Sequence, residues 1–254
     1  MQIYDIISQH DCDTISNYLH ISDIPHDIAI ATMTIVGAVN ANFNITEITN
    51  IFKDNISTKK LKNRNFYNQA TLFLLVNNKK ISIKLFNNGS IHITGCNNAI
   101  QCCIVLHTLF QNILQHNKNN NLTNDPYMLS IPYITSLRTV LINCKFDIGF
   151  HIQLDKLHNI LSELQVNQTY EPSIHSCINV KIKHELDNTI NKQQSKYISA
   201  FVFEKGIVMI TGSNSCSMII YAYVYLYNIL CKNYVGIYKS DNEAFVKEYI
   251  NSVS

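Results

Sequence analysis

Phe86-Asn87-Asn88-Gly89-Ser90-Ile91-His92-Ile93-Thr94-Gly95-Cys96-Asn97 and Phe203-Glu204-Lys205-Gly206-Ile207-Val208-Met209-Ile210-Thr211-Gly212-Ser213-Asn214 are two copies of one pattern. Every shared residue lies 117 positions from its partner, and six of the twelve are identical. An internal repeat of this kind decides the architecture before any single element is assigned. In each copy an apolar run, Ile81 to Phe86 or Ile198 to Phe203, reaches a turn whose glycine can take positive φ, and a second strand follows, predicting a β-hairpin.

Helical periodicity follows each Thr-Gly pair. In the first copy the expected apolar face is Ile100, Cys103, Ile104, His107, Phe110, Ile113 and Leu114; in the second it is Met218, Ile219, Ala222, Leu226, Ile229 and Leu230. Upstream of the first hairpin, Thr34 to Ala41 reads as a strand and Asn44-Ile45-Thr46-Glu47 as a capping box opening a helix. Upstream of the second, Thr139 to Ile148 reads as a strand, and Leu154, Leu157, Ile160, Leu161 and Leu164 mark a helix. The expected order per repeat is strand, helix, several strands, helix.

The organisation this predicts is a leader over 1–30, a first repeat over 31–114, a linker over 115–130, a second repeat over 131–237 and a tail over 238–254. Within the leader, Ile15, Tyr18 and Leu19 suit a short helix packed on the first repeat. The linker is Asn/Lys-rich from Gln115 to Pro126, and the polar stretch 184–197 reads as a long hairpin loop of the second repeat alone.

With 254 residues and 46% hydrophobic content, the chain can bury one substantial core or two small fused ones. A formal charge of +2 does not by itself mark a nucleic-acid binder, so any DNA contact must come from local placement of cations. Residues 1–7 lack the features of a secretory signal, and the longest apolar run, Met218 to Tyr227, is too short for a membrane span; a soluble intracellular protein is expected. The eight cysteines, at positions 12, 96, 102, 103, 144, 177, 216 and 231, form no CxxC pair and no zinc-finger spacing, and read as reduced core residues. There is no phosphate-binding glycine loop, no HExxH and no nucleophile elbow, and Asp155 and Glu163 lack a nucleophile to serve. No catalytic residue, metal or cofactor is expected.

Two tandem units, each carrying Phe-x-x-Gly-x-x-x-x-Thr-Gly before a helix, resemble the core of the TATA-binding protein (TBP) family over about residues 31 to 237. Thr34-Ile35-Val36-Gly37-Ala38-Val39 is similar to that family's first strand, and Tyr170-Glu171-Pro172 to its second stirrup loop. Thr139-Val140-Leu141-Ile142-Asn143-Cys144-Lys145-Phe146, with an Ile-, Asn- and Lys-rich composition typical of AT-rich genomes, looks like the divergent TBP-like proteins of large nucleocytoplasmic DNA viruses. For a viral member the implied location is the cytoplasmic virus factory and the virion.

The resemblance implies an α+β fold: a TBP-like saddle of two pseudo-symmetric repeats forming one curved antiparallel sheet, with helices on its convex face. It implies a transcription initiation factor that binds and bends AT-rich promoter DNA through the minor groove and recruits a factor-IIB-like partner and RNA polymerase. This family is itself the type example of minor-groove bending, in which apolar wedges unstack base steps. Carried over by position, the implied wedges are Phe86 and Phe203. Their partner wedges fall on Gln69 and His175, with Tyr67 or Phe66 as substitutes if the first hairpin shifts register.

DNA-facing positions implied on the return strands are His92, Thr94, Met209 and Thr211. Near the dyad they are Thr34 and Leu141, in place of the family's asparagines, with Val36 and Asn143 facing the same way. Implied phosphate contacts are Lys59, Lys60, Lys62, Arg64, Lys145, Lys181 and Lys183. Glu171 and Ile174 match positions that dock factor IIB, while Ser173 replaces a matching acid. Outside the repeat, Phe86 and Phe203 would read as core residues, His92 and His175 as ordinary histidines, and Lys59 to Arg64 as a solvated loop. The alternative function is a protein-interaction module in a viral transcription complex that keeps the fold with little specific DNA binding.

Overall fold

A computed structural model of the chain describes residues 9–21, 23–53, 68–119, 134–184 and 196–240. The chain divides into two compact units, one holding 1–23 and 30–142, the other 24–29 and 143–254.

In the first unit, helix α1 (Gln9–Leu19) precedes strand β1 (Ala29–Val39), helix α2 (Ile45–Ile51), strands β2 (Gln69–Val76), β3 (Lys79–Phe86) and β4 (Ser90–Cys96), and helix α3 (Ala99–Asn119). Strand β5 (Ile134–Asp147) begins here and runs into the second unit. The strand order is β2-β3-β4-β1-β5. Strict alternation buries Leu72, Ile81, Ile83, Leu85, Ile91 and Ile93 against the helices, each at most 2% exposed. α2 starts as the sequence predicts, with Asn44 Oδ1 accepting from the N–H groups of Thr46 and Glu47. β1 starts earlier than expected and stops at Val39, short of Ala41.

Helix α3 keeps part of the face its periodicity suggests, with Cys103 and Ile113 buried, and departs from it elsewhere. Ile100 and Ile104 are exposed, at 60% and 37%, while Cys102, Val105, Leu106, Leu109 and Ile113 are buried. The helix start is capped: Asn98 Oδ1 accepts from Gln101 N–H at 2.8 Å, and Gln101 Oε1 accepts from Asn97 N–H at 3.0 Å. α3 continues through Asn119, into the Asn/Lys-rich stretch that starts at Gln115. α1 packs on α3 through buried Ile15 and Leu19, while Tyr18 faces out.

In the second unit, the rest of β5 leads to α4 (Leu154–Glu163), β6 (Gln168–Tyr170), β7 (Cys177–His184), β8 (Lys196–Phe203), β9 (Ile207–Ser213), α5 (Cys216–Lys232) and α6 (Tyr234–Ile237). The strand order is β5-β9-β8-β7-β6. Ile178, Val180, Ile198, Ala200, Val202, Val208 and Ile210 are fully buried and pack beneath the helices. The expected α5 face holds, with Met218, Ile219, Ala222, Leu226 and Leu230 buried, and Ser215 caps the helix by accepting from Met218 N–H. β7 and β8 frame the expected polar hairpin loop, most of which, 185–195, lies outside the described residues.

The two hairpin glycines do what the repeat demands. Gly89 and Gly206 have φ of 81° and 83°, and a Cβ on them would stand 2.3 Å from the carbonyl oxygens of Ala41 and Phe150 respectively. Each turn is thus pinned against the end of the unit's first strand, through Val39 N–H to Gly89 O in one unit and Ile148 N–H to Gly206 O in the other, both 3.0 Å.

Candidate nucleic-acid interface

Alternation leaves one strand face in each unit turned away from the helices. In the first unit the residues on it line up across the ladder. Gln69 pairs with Phe86; Thr71, Lys84, His92 and Val36 form a second row; Phe73, Ser82, Thr94 and Thr34 form a third. The Phe86 ring lies 4.8 Å from that of His92, tilted by 57°, and the Lys80 ammonium stands 4.1 Å over the Phe73 ring. Lys84 and Thr94 are exposed, and Phe86, His92, Thr34 and Val36 are half-buried. No carboxylate occurs anywhere in β1 to β4.

The second unit repeats the layout with different chemistry. Cys177 pairs with Phe203; Thr169, Asn179, Phe201 and Met209 form the next row; Lys181, Ser199 and Thr211 the third. The third row is hydrogen-bonded at both ends: Lys181 Nζ donates to Ser199 Oγ at 2.6 Å, and Thr211 Oγ1 donates to Asn143 Oδ1 at 2.5 Å. Lys145 and Lys183 are exposed beside it. Among β5 to β9 the one carboxylate is Asp147, at the end of β5, where its Oδ1 accepts from Gly149 N–H. A chain of nearly neutral formal charge therefore carries cations, and almost no anions, on these strands, which favours a polyanion there.

Equivalent hydrogen bonds fix which residues of β1 and β5 correspond. Val39 N–H to Gly89 O matches Ile148 N–H to Gly206 O, and Phe43 N–H to Asn87 O matches Ile152 N–H to Glu204 O. Val39 and Ile148 are 109 positions apart, as are Phe43 and Ile152. By that offset the counterpart of Thr34 is Asn143, not Leu141, and the contacts agree: Thr34 stands opposite Thr94, and Asn143 is bonded to Thr211. An asparagine is thus present at this position in the second unit.

Gln69 lies in register with Phe86, as the ungapped hairpin requires. His175 does not lie opposite Phe203; Cys177 does. His175 and Ile174 sit in an exposed turn where both backbone N–H groups donate to Glu171 O, at 2.8 and 2.9 Å, and the Ile174 side chain is 65% exposed. Lys62 and Arg64, with Lys59, Lys60, Phe66 and Tyr67, lie outside the described residues. Sequence reasoning passed over Phe73, Lys80, Lys84, Asn179, Ser199 and Phe201. Counting in twos back from Phe86 and Phe203 finds Lys84 and Phe201 directly.

The cysteines divide by place. Cys96, Cys102, Cys103, Cys144 and Cys216 are buried, as expected of core residues, whereas Cys177 is half-buried on the strand face and Cys231 is exposed. A hydrogen bond from Cys102 holds the Cys96 thiol below its ordinary range and raises that of Cys102, and burial pushes Cys144 up to about 12. Among the described residues no three His, Cys, Asp or Glu side chains group to hold a metal ion, and no helix is long and apolar enough to cross a membrane.

The same architecture is found in known proteins. The TBP of Methanococcus jannaschii superposes with a TM-score of 0.57 at 15% identity, over 81% of this chain and 99% of that one. The fold is therefore that of a TATA-binding protein. Residues 137–233 match the family model described as "Transcription factor TFIID (or TATA-binding protein, TBP)". A viral relative, the "TATA-box-binding protein-like" protein of Acanthamoeba polyphaga mimivirus, is 29% identical over 201 residues, covering 70% of this chain and 52% of the relative. The chain spans about half the length of that curated relative. Residues 137–233 thus carry similarity to that family, and the chain shares the TATA-binding protein fold.

Proposed function

We propose that the chain is a transcription initiation factor that binds AT-rich promoter DNA in the minor groove through the strand faces of its two units. Phe86 and Phe203 enter as wedges and bend the duplex. Glu171 and Ile174 dock a factor-IIB-like partner, and RNA polymerase follows.

The observation that carries this reading is the composition of the two strand faces. A sheet face packed on nothing is normally polar. These faces instead hold Phe73, Phe86, Phe201, Phe203 and Met209 among lysines and hydroxyls. Apolar side chains suit the sugar walls and base steps of the groove, hydroxyls and amides suit its acceptor-rich floor, and lysines suit its phosphate rims. No catalytic residue or cofactor enters this mechanism.

A second reading, a protein-interaction module with little DNA binding, draws on α5. The chain carries no charged residue from Gly206 to Cys231, and α5 displays Tyr221, Val224 and Tyr227 at 40–48% exposure. A surface of that chemistry suits protein contact, and it lies on the helix side, leaving the strand face available to DNA.

The deciding experiment is fluorescence anisotropy on AT-rich and GC-rich duplexes across a salt series, with end-to-end FRET for bending. DNA binding predicts tighter, bent complexes on AT-rich duplexes, both lost in the Phe86→Ala plus Phe203→Ala double variant. Equal affinity for both duplexes, or a double variant that binds and bends like the parent, would overturn it.

A further inference from the structure

We propose that Cys96 and Cys102 form a redox-active dithiol in the first unit, which hydrogen peroxide converts to a disulfide that fastens the first turn of α3 to the end of β4. This inference stands apart from the DNA-binding reading and does not depend on it.

Cys96 is the last residue of β4, and Cys102 lies in the first turn of α3, with five residues between them. Both thiols are free, both residues are fully buried, and a hydrogen bond joins the two side chains. The short connection is itself held in place, because Asn98 Oδ1 accepts from Gln101 N–H and Gln101 Oε1 accepts from Asn97 N–H. Two sulfurs already in contact across a fixed junction are the starting point a disulfide needs, since its formation asks mainly for side-chain movement.

The second unit supplies an internal contrast. At the same 117-residue offset that relates the hairpins, Cys96 and Cys102 become Ser213 and Ile219. Ser213 Oγ is buried without a hydrogen-bond partner. The junction therefore forms without a thiol pair, and packing alone does not call for one in the first unit.

The two sulfurs are unlike in reactivity. The hydrogen bond from Cys102 and the Lys79 ammonium, which also donates to Ala31 O at 2.9 Å, favour the thiolate of Cys96. The same bond and burial disfavour that of Cys102. Cys96 is thus the attacking sulfur and Cys102 the resolving one. The Cys96 thiolate attacks one peroxide oxygen, the O–O bond breaks, and the departing hydroxide takes up a proton, leaving a sulfenic acid and one water. Cys102 then loses its proton and attacks the Cys96 sulfur; the S–S bond forms, the S–O bond breaks, and a second water departs. Two thiols and one peroxide become one disulfide and two waters. Asn98 and Ile100 are exposed on the turn beside the pair, and Cys102 N–H reaches Asn98 O at a long 3.4 Å, so local opening of that turn admits an oxidant little larger than water.

The test uses the full chain, reduced and then treated with graded hydrogen peroxide. Remaining thiols are alkylated after unfolding, and links are mapped by fragmentation mass spectrometry. A Cys96–Cys102 link is expected, reversed by dithiothreitol, with amide hydrogen exchange in the first turn of α3 slowed several-fold in the oxidised chain. Cys103→Ser should form the same link, and Cys102→Ser should stop at a sulfenic acid on Cys96 that dimedone traps. The mapping is made on the parent chain, so it does not depend on any variant folding. A link between Cys96 or Cys102 and any other cysteine, or oxidation of Cys177 and Cys231 while Cys96 and Cys102 stay open to alkylation, would overturn the proposal. So would a link that leaves exchange in that turn unchanged.

Discussion

Gln69 stands directly across the β2–β3 ladder from Phe86, whereas the residue facing Phe203 in the same way is Cys177. Each unit thus pairs one aromatic with one small or polar neighbour at the hairpin end. If Phe86 is a wedge, the position beside it is half-filled. Gln69→Phe is expected to tighten binding to AT-rich DNA by about tenfold, the worth of part of a buried ring, and to increase the bend seen by FRET. Unchanged affinity would show that this corner does not meet the bases.

The salt dependence of binding should identify the phosphate contacts. Lys145 and Lys183 are exposed on the strand side of the second unit, while Lys181 is tied to Ser199. Lys145→Ala and Lys183→Ala should each lower the slope of log K against log salt by about one, across duplexes of any sequence. A variant that loses affinity at constant slope would point to a packing role instead.

Partner docking is separable from DNA binding. Glu171 accepts the backbone bonds that shape the turn through its carbonyl, so its side chain can change without disturbing that turn. Glu171→Arg should weaken pull-down of a factor-IIB-like protein while leaving anisotropy on DNA unchanged. Indifference in the pull-down would remove this surface from the docking proposal.

Two glycines separate backbone strain from collision. Gly206 has φ of 83° with Phe150 O 2.3 Å from a Cβ position, and Gly149 has φ of 85° with nothing within 4 Å. Gly149→Ala should cost about 1 kcal/mol from conformation alone, and Gly206→Ala about 3 kcal/mol or more, because a carbonyl must also move. Denaturant midpoints compared at constant m-value would measure both, and equal losses would mean that the strand end yields freely.

Stability should also fall in alkali through Cys144. Its thiol is raised from an ordinary 9.0 to about 12 by burial, so the folded chain holds a proton that the unfolded chain releases. The stabilisation is complete below pH 9 and is lost as pH rises from there toward 12, at up to about 1.4 kcal/mol per pH unit. Unfolding free energies at pH 8 and pH 10.5 should show this decline, and Cys144→Ala should make it shallower.

The repeat, the hairpins and the two positive-φ glycines were legible because each is local: a run of alternating apolar residues, a turn, a Thr-Gly end. The matching of Thr34 with Asn143 was not. The hairpins repeat at 117 positions and the first strands at 109, so no single offset aligns both, and only the hydrogen bonds from Val39 and Ile148 to the turn glycines tie the two frames together. Helix α3 was read only in part for another reason. Ile100, Ile104, Val105 and Leu106 leave no single obvious stripe, and spacing alone does not tell that the first two are exposed and the last two buried. Counting from Tyr170-Glu171-Pro172 reached His175 as the partner of Phe203, where strand pairing brings Cys177.

The hairpins differ at their far ends. β2 and β3 are joined by Asn77 and Asn78 alone, at φ of 48° and 61°, the two-residue turn suited to strand twist, whereas β7 ends at His184 and β8 starts at Lys196. In both, the ladder runs unbroken from that end to the phenylalanine at the other, eight residues on each strand. Insertions and deletions at the connection therefore leave the phase of the ladder untouched. One end of each hairpin can thus change in length while the geometry at the phenylalanine end is kept.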